Sequence, residues 1–415
     1  MERASKDVIK ELLEKIATYN TTPGEGEGCT RLVFTKEELE AKDYVISKMK
    51  EFGMSVTVDA IGNIFGCYEG TDPELAPVWT GSHIDTVLNA GIFDGMAGIV
   101  CGLEAVRLMN TAQIRPKRSI YVNIYTSEEP TRFGLSCLGS RALSGHLKLD
   151  GTKELFDKDG NSLFEVLKEV GCAYEDFDKI VKKPGEVYAS LELHIEQNGI
   201  LEENEKSIGI VRGICAPTVY EITIKGVQSH AGGTSMADRK DAYMAACEIA
   251  LLLENLAKTS KSEYITGTVG KCDIFPGTVN VIPGEVKFPI DIRSISMEDK
   301  EDLIAVLIKE INNIAKRRDV IVMVEEMNHD KPIICEEKLM KKLEKHCEEF
   351  NIEHMRLISG PYHDSLFIGE FAPIAMIFVP SRNGISHSPD EWTDYEDLAL
   401  GADVLAKTLL EIANE

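Results

Sequence analysis

Apolar residues recur every three or four positions over 5–18 and 36–52, which predicts two amphipathic helices, the second capped by Thr35. Short β-branched and aromatic runs then predict strands at 55–59, 63–68 and 77–80. Residues 95–109 are rich in Ala, Gly, Val and Leu, the composition of a helix packed closely on a sheet. Buried-strand runs follow at 119–126 and 187–193. Beyond residue 330 the pattern gives a helix over 336–350, a strand at 374–379 and a last helix over 394–413. Strands separated by helices predict a mostly parallel α/β sheet with helices on both faces.

The middle of the chain has another rhythm. A strand at 218–225 and a long amphipathic helix over 238–256 precede two strands, near 264–274 and 285–293. Ser296 caps a further helix, and 320–326 closes with a strand. This β-α-β-β-α-β order is that of a split-βαβ, ferredoxin-like unit. The expected organisation is an α/β catalytic domain formed by 1–213 and 329–415, carrying 214–328 as an inserted α+β lid.

Length and charge narrow the functions available. A chain of 415 residues can build two cores, and 43% hydrophobic with 27% charged residues is an ordinary globular composition. A formal net charge of −24 disfavours nucleic acid and anionic membranes as partners. A small anionic substrate stays compatible if a few arginines supply local positive charge. No run of 18 apolar residues occurs, and the charged N-terminal helix lacks the apolar core of an export signal. The ten cysteines form no CxxC pair and read as reduced thiols, so a cytoplasmic protein is expected.

Five polar motifs then stand out: GSHIDTV around His83, GIFDG around Asp94, YTSEEP around Glu128 and Glu129, LELHIEQ around His194, and SRNGISHSPDE around His387. Most sit at the ends of predicted strands, the edge where open α/β sheets bind ligands. One histidine at a strand end is most often an ordinary hydrogen-bonded residue, and a Glu-Glu pair is most often solvated. Five metal-type positions brought to one edge favour a metal site. Asp94 can bridge two cations through its two oxygens, with Glu129, His83, His194 and His387 completing their shells. Asp85, two residues after His83, is placed to orient that imidazole. Nitrogen and oxygen ligation without thiolate suits two divalent ions of Zn²⁺, Mn²⁺ or Co²⁺ alike. Glu128, beside a ligand but free of that duty, is the expected general base.

With these motifs the chain resembles the metallopeptidase-like amidohydrolases related to aminoacylases and dinuclear carboxypeptidases. HIEQ narrows the resemblance to the hydantoinase/carbamoylase branch, which contains N-carbamoyl-L-amino-acid hydrolases, allantoate amidohydrolases and β-ureidopropionases. The resemblance implies a lid that dimerises, giving a homodimer, and a small carboxylate bearing a ureido or carbamoyl group as substrate. It also implies that His230, in QSHAGG, polarises the scissile carbonyl or binds substrate, and that Asn280 and Arg293 hold the substrate carboxylate. Gln197 is matched to the ureido group, and His363, in GPYHDS, to the pocket lining. The chain departs from the family pattern at Asn198, Ser235, Pro361 and Tyr362, none of them a ligand or the base. A peptidase or N-acyl-amino-acid deacylase on the same scaffold is the nearest alternative, followed by a non-catalytic metal-binding protein. The glycine-rich stretch 21–31 lacks the lysine of a phosphate loop and reads as a loop at the edge of the site.

Overall fold

The computed structural model describes residues 1–21 and 28–415, so most of the glycine-rich stretch lies outside the described residues. The chain divides into two compact units. The first comprises Met1–Arg212, Cys335–Ser359 and His363–Glu415; the second comprises Gly213–Ile334 together with Gly360–Tyr362.

The first unit is organised by a mixed sheet. Its strand order begins Ser55–Val58, Ile64–Tyr68, Ile120–Tyr125, Val78–His83, then Ala189–Ile195, Ile374–Val379 and Ile208–Ile214. The four central strands, from Ile120–Tyr125 to Ile374–Val379, run parallel, and their neighbours on either side run antiparallel. Every residue of Val78–His83, Ala189–Ile195 and Ile374–Val379 is buried, and the last reads as a continuous apolar run rather than an alternating one. Helix Met96–Thr111 packs against Val78–His83 and Ala189–Ile195, and Tyr395–Ala413 lies beside it. Gly98, Gly102 and Gly401 lie where these helices meet the central strands: a Cβ on Gly98 would come 2.4 Å from the Leu193 carbonyl oxygen. The small-residue composition of 95–109 is therefore a packing requirement.

Two central strands run further than periodicity indicates. Val78–His83 continues three residues past Thr80, and Ala189–Ile195 includes His194. The ladder explains the first extension, because His83 still pairs with Tyr125. Strand Ile208–Ile214 and helices Leu138–Ser144 and Leu163–Glu169 add elements that the pattern reading does not contain.

The second unit has an antiparallel sheet in which Ala216–Lys225 lies between Glu285–Ser294 and Ile321–His329. The expected single strand at 264–274 is two short strands, Ile265–Thr268 and Asp273–Phe275, both paired with Glu285–Ser294. Helices Ala242–Thr259 and Met297–Arg318 share one apolar core with the sheet, built from alternate residues such as Ile222, Ile224, Phe288 and Ile290. Ser296 and Asp241 cap these helices by accepting main-chain N–H bonds.

Candidate active site

The central strands deliver His83, His194 and the Glu128–Glu129 turn to one edge of the first unit. Asp94 stands just ahead of helix Met96–Thr111, and His387 follows strand Ile374–Val379 by a turn through 382–384. Asp94 is the centre of the cluster. Its Oδ1 lies 3.4 Å from His83 Nε2 and 3.2 Å from His194 Nε2. Its Oδ2 lies 3.2 Å from His387 Nε2, which is also 3.3 Å from Glu129 Oε1. The two oxygens of one carboxylate thus face two separate sets of donors, His83–Asp94–His194 and Asp94–Glu129–His387.

The histidine rings are set by their other nitrogen. His83 Nδ1 is 3.0 Å from the carbonyl of Asp85, and His194 Nδ1 is 2.9 Å from the carbonyl of Ile195. Each ring therefore donates through Nδ1 and presents Nε2 to Asp94. Gly95 makes room for this: its φ is +73°, and a Cβ there would lie 2.5 Å from His83 Cε1.

Asp85 meets His83 through its main chain and has a further task for its carboxylate. Its carboxylate oxygen is 3.9 Å from His83 Nδ1, outside hydrogen-bonding distance, because its main-chain carbonyl has taken that bond. The carboxylate instead accepts from the main-chain N–H groups of Glu128 and Glu129, at 3.3 and 3.1 Å. Asp85 thereby holds the turn that carries the proposed base.

Glu128 is buried, with Oε2 4.0 Å from His83 Nε2 and Oε1 receiving the Cys137 thiol at 3.6 Å. Burial, outweighing the attraction of His83, pushes its carboxyl well above the ordinary value. For His83, burial opposes the charged form, yet Asp94, Glu128 and Asp85 outweigh it and raise its pKa. Hydrogen bonds to Asp94 and Glu129 push His387 up to about 11. The ion pairs of Asp94, Glu128 and Glu129 among the described residues are all with histidines, none with lysine or arginine. Buried carboxylates in such excess require cationic compensation, and protons on the histidines supply only part of it. The donor set, its burial and the converging Nε2 atoms fit divalent metal.

Gln197 adds a polar group with one end open. It donates through Nε2 to Asp94 Oδ2 at 2.7 Å, while its Oε1 is buried and has no hydrogen-bond partner among the described residues. Its φ of +57° is unusual for a residue with a side chain, a strain typical of functional positions. His363 lies behind His194, ring centroids 4.6 Å apart, with Nε2 3.0 Å from Ser359 Oγ. Burial and then His194 lower its pKa well below the ordinary value, so it is neutral.

His230, Asn280 and Arg293 belong to the second unit. His230 and Asn280 are neighbours, since Ala231 N–H donates to the Asn280 carbonyl at 3.0 Å, and both are exposed. His230 Nδ1 accepts from the N–H groups of Gly232 and Gly233, each at 3.0 Å, which places its proton on Nε2. Arg293 Nε and Nη2 form a fork on Asp291, with Nη2 2.9 Å from Oδ2.

Some site residues carry no role in the sequence reading. Cys137, Ser386 and Glu391 all contact the cluster; the last two lie within the SRNGISHSPDE motif itself.

Comparison with known proteins agrees with this geometry. Residues 79–411 match the model of peptidase family M20/M25/M40. The chain is 37% identical to a ureidoglycolate hydrolase of Arabidopsis thaliana, covering 98% of this chain and 86% of the relative. It is 39% identical to an N-carbamoyl-L-amino acid amidohydrolase of Geobacillus stearothermophilus, covering 93% and 94%. A solved amidase of the hydantoinase/carbamoylase family from Burkholderia multivorans superposes with a TM-score of 0.89 at 32% identity, covering 100% and 99% of the two chains. The chain therefore belongs to peptidase family M20/M25/M40, in its hydantoinase/carbamoylase branch.

Proposed function

We propose that the chain hydrolyses the carbamoyl or ureido C–N bond of a small carboxylate, such as an N-carbamoyl-L-amino acid, ureidoglycolate or allantoate, through a site for two divalent cations. The chain is an amidohydrolase of this class by its relatives, which carry such activities in their names over nearly the full length. The single observation that carries the finer reading is Asp94, whose two oxygens face two complete donor sets.

His83, Asp94 and His194 would hold one ion, and Asp94, Glu129 and His387 the other. Two such ions, when bound, polarise the carbamoyl carbonyl and acidify the attacking water. Glu128 takes the proton from that water as it adds to the carbamoyl carbon, then delivers it to the leaving nitrogen as the C–N bond breaks. Ammonia and carbon dioxide leave with the amine product. Gln197 Oε1, an acceptor without a partner among the described residues, suits an N–H of the ureido group, which an ester lacks. In the second unit His230, with its proton on Nε2, is suited to donate to a developing oxyanion. Arg293 and Asn280 serve as the holders of the substrate carboxylate.

The second unit is proposed as lid and dimerisation surface. Its strand Ile321–His329 forms an edge of the sheet and exposes Ile321, Met323 and Met327, an unpaired edge suited to a second copy of the chain. No helix among the described residues is long and apolar enough to cross a membrane.

The deciding experiment compares turnover by Mn²⁺- or Zn²⁺-loaded protein, read as ammonia release from allantoate, ureidoglycolate, N-carbamoyl-L-amino acids and N-carbamoyl-β-alanine, and as free amino-acid release from a dipeptide. Turnover of one or more ureido acids above the dipeptide is expected. Faster cleavage of the dipeptide would replace this reading with a peptidase.

A further inference from the structure

We infer that Glu391 is a positioning residue of the metal centre, holding Asp94 and His387 at the separation needed by the cation that they share with Glu129. The inference rests on the metal reading above.

His387 is the least constrained of the five metal-type residues. Its side chain is 47% exposed, whereas those of His83, His194, Asp94 and Glu129 are 1–6% exposed. Carbonyl oxygens hold the rings of His83 and His194, and no such bond holds His387 among the described residues. Its φ of +54° lies in the left-handed region, uncommon for a residue with a side chain. Something outside the ring must therefore fix the turn.

Glu391 is the residue placed to do so. It is buried, and its Oε1 accepts from the main-chain N–H groups of Phe93 and Asp94, at 2.9 and 3.1 Å. Its Oε2 lies 2.8 Å from the Ser386 hydroxyl, which is also 3.0 Å from Asp94 Oδ2. Ser386 directly precedes His387, and Glu391 N–H closes the same turn on the Ser388 carbonyl at 3.1 Å. One carboxylate thus joins the main chain of Asp94, its side chain and the turn bearing His387. The opposite side of this contact is equally specific: a Cβ on Gly91 would lie 2.2 Å from Glu391 Oε1. The two glycines of GIFDG have separate tasks, Gly91 admitting Glu391 and Gly95 admitting His83.

The test is titration of metal-free protein with Mn²⁺ or Zn²⁺, read as the stoichiometry and affinity of each ion, beside thermal unfolding of the metal-free form. Glu391→Ala is expected to weaken one of two ions by about 10–100-fold and leave the other near wild type. Glu391→Gln is expected to restore binding, since its Oε1 can accept both amides and its Nε2 can donate to Ser386. Ser386→Ala cuts only the hydroxyl link and should weaken the same ion less, which keeps the test usable if Glu391→Ala does not fold. Wild-type affinity for both ions in Glu391→Ala and Ser386→Ala, or equal weakening of both ions without rescue by Gln, overturns the inference. A wild-type protein that binds no cation instead removes the metal reading itself.

Discussion

Asp85 and Glu129 are joined through the main chain rather than through their charges: the Asp85 Oδ2 accepts the Glu129 N–H at 3.1 Å, while Oδ1 accepts that of Glu128. Both oxygens are needed as acceptors. Asp85→Asn would turn an amide N–H₂ toward one of these N–H groups and should therefore be about as harmful as Asp85→Ala. A loss of about 10–100-fold in kcat is expected for both, measured by steady-state ammonia release. An aspartate that merely oriented the His83 ring would tolerate Asn, whose oxygen can accept from Nδ1, and near-normal kcat in that variant would restore the orienting role.

Gly95 gives a second, independent test of how closely the site is built. Alanine there meets both a φ of +73° and the His83 ring at 2.5 Å. Gly95→Ala should lower stability by about 1–3 kcal/mol and weaken metal binding at the same time. Denaturant unfolding and metal titration on the same sample check the two effects together.

The extent to which the sequence revealed this site follows from the kind of contact each residue makes. The strands leading to His83, Glu128 and His194 are rich in β-branched, aromatic and leucine residues, so they are visible in the sequence, and their polar ends mark the edge. Where a strand stops was not visible, because the ladder through His83 depends on its partner Tyr125. Helix Leu163–Glu169 does have a local signal, the capping box of Ser162 and Glu165. Glu391 has none for its contact with Asp94, since the main-chain N–H groups it accepts from are nearly 300 residues away. The bonds of Asp85 to the Glu128–Glu129 turn lack a signal for the same reason: spacing places it beside His83, but only the folded turn shows which other atoms it meets. Gly360–Tyr362 joins the second unit through contacts such as Tyr362 with Asp330, which no periodicity announces.

Lys300 should leave a signature in the pH dependence of stability. It is fully buried in the second unit and donates through Nζ to the carbonyls of Ala216, at 3.1 Å, and Asp330, at 2.6 Å. Burial lowers its pKa to about 8, below the ordinary 10.5. Between these values the unfolded chain binds more protons than the folded one, so this lysine makes stability rise with pH there, by at most about 3 kcal/mol. Below pH 8 both states are charged and its contribution is flat. Subtracting the denaturation profile of Lys300→Met from that of the wild type, from pH 7 to 10.5, isolates this rise; a difference that falls across the interval would contradict it.

Arg293 presents a fork already engaged by Asp291 through Nε and Nη2, which fixes the plane of the guanidinium. Lysine keeps the charge but loses that plane. Arg293→Lys is expected to raise KM for a ureido acid by about tenfold or more, with a much smaller change in kcat. Equal falls in kcat with KM unchanged would place Arg293 in the chemical step instead.

The division of labour between Glu128 and its neighbours is tested most directly by Glu128→Gln, followed by metal analysis and ammonia release from the best ureido substrate. Because Glu128 belongs to neither donor set around Asp94, the variant should retain two equivalents of metal. Turnover should fall by at least about 10²-fold, the loss expected on removing a general acid–base group. A variant with full metal content and near wild-type turnover would contradict the account.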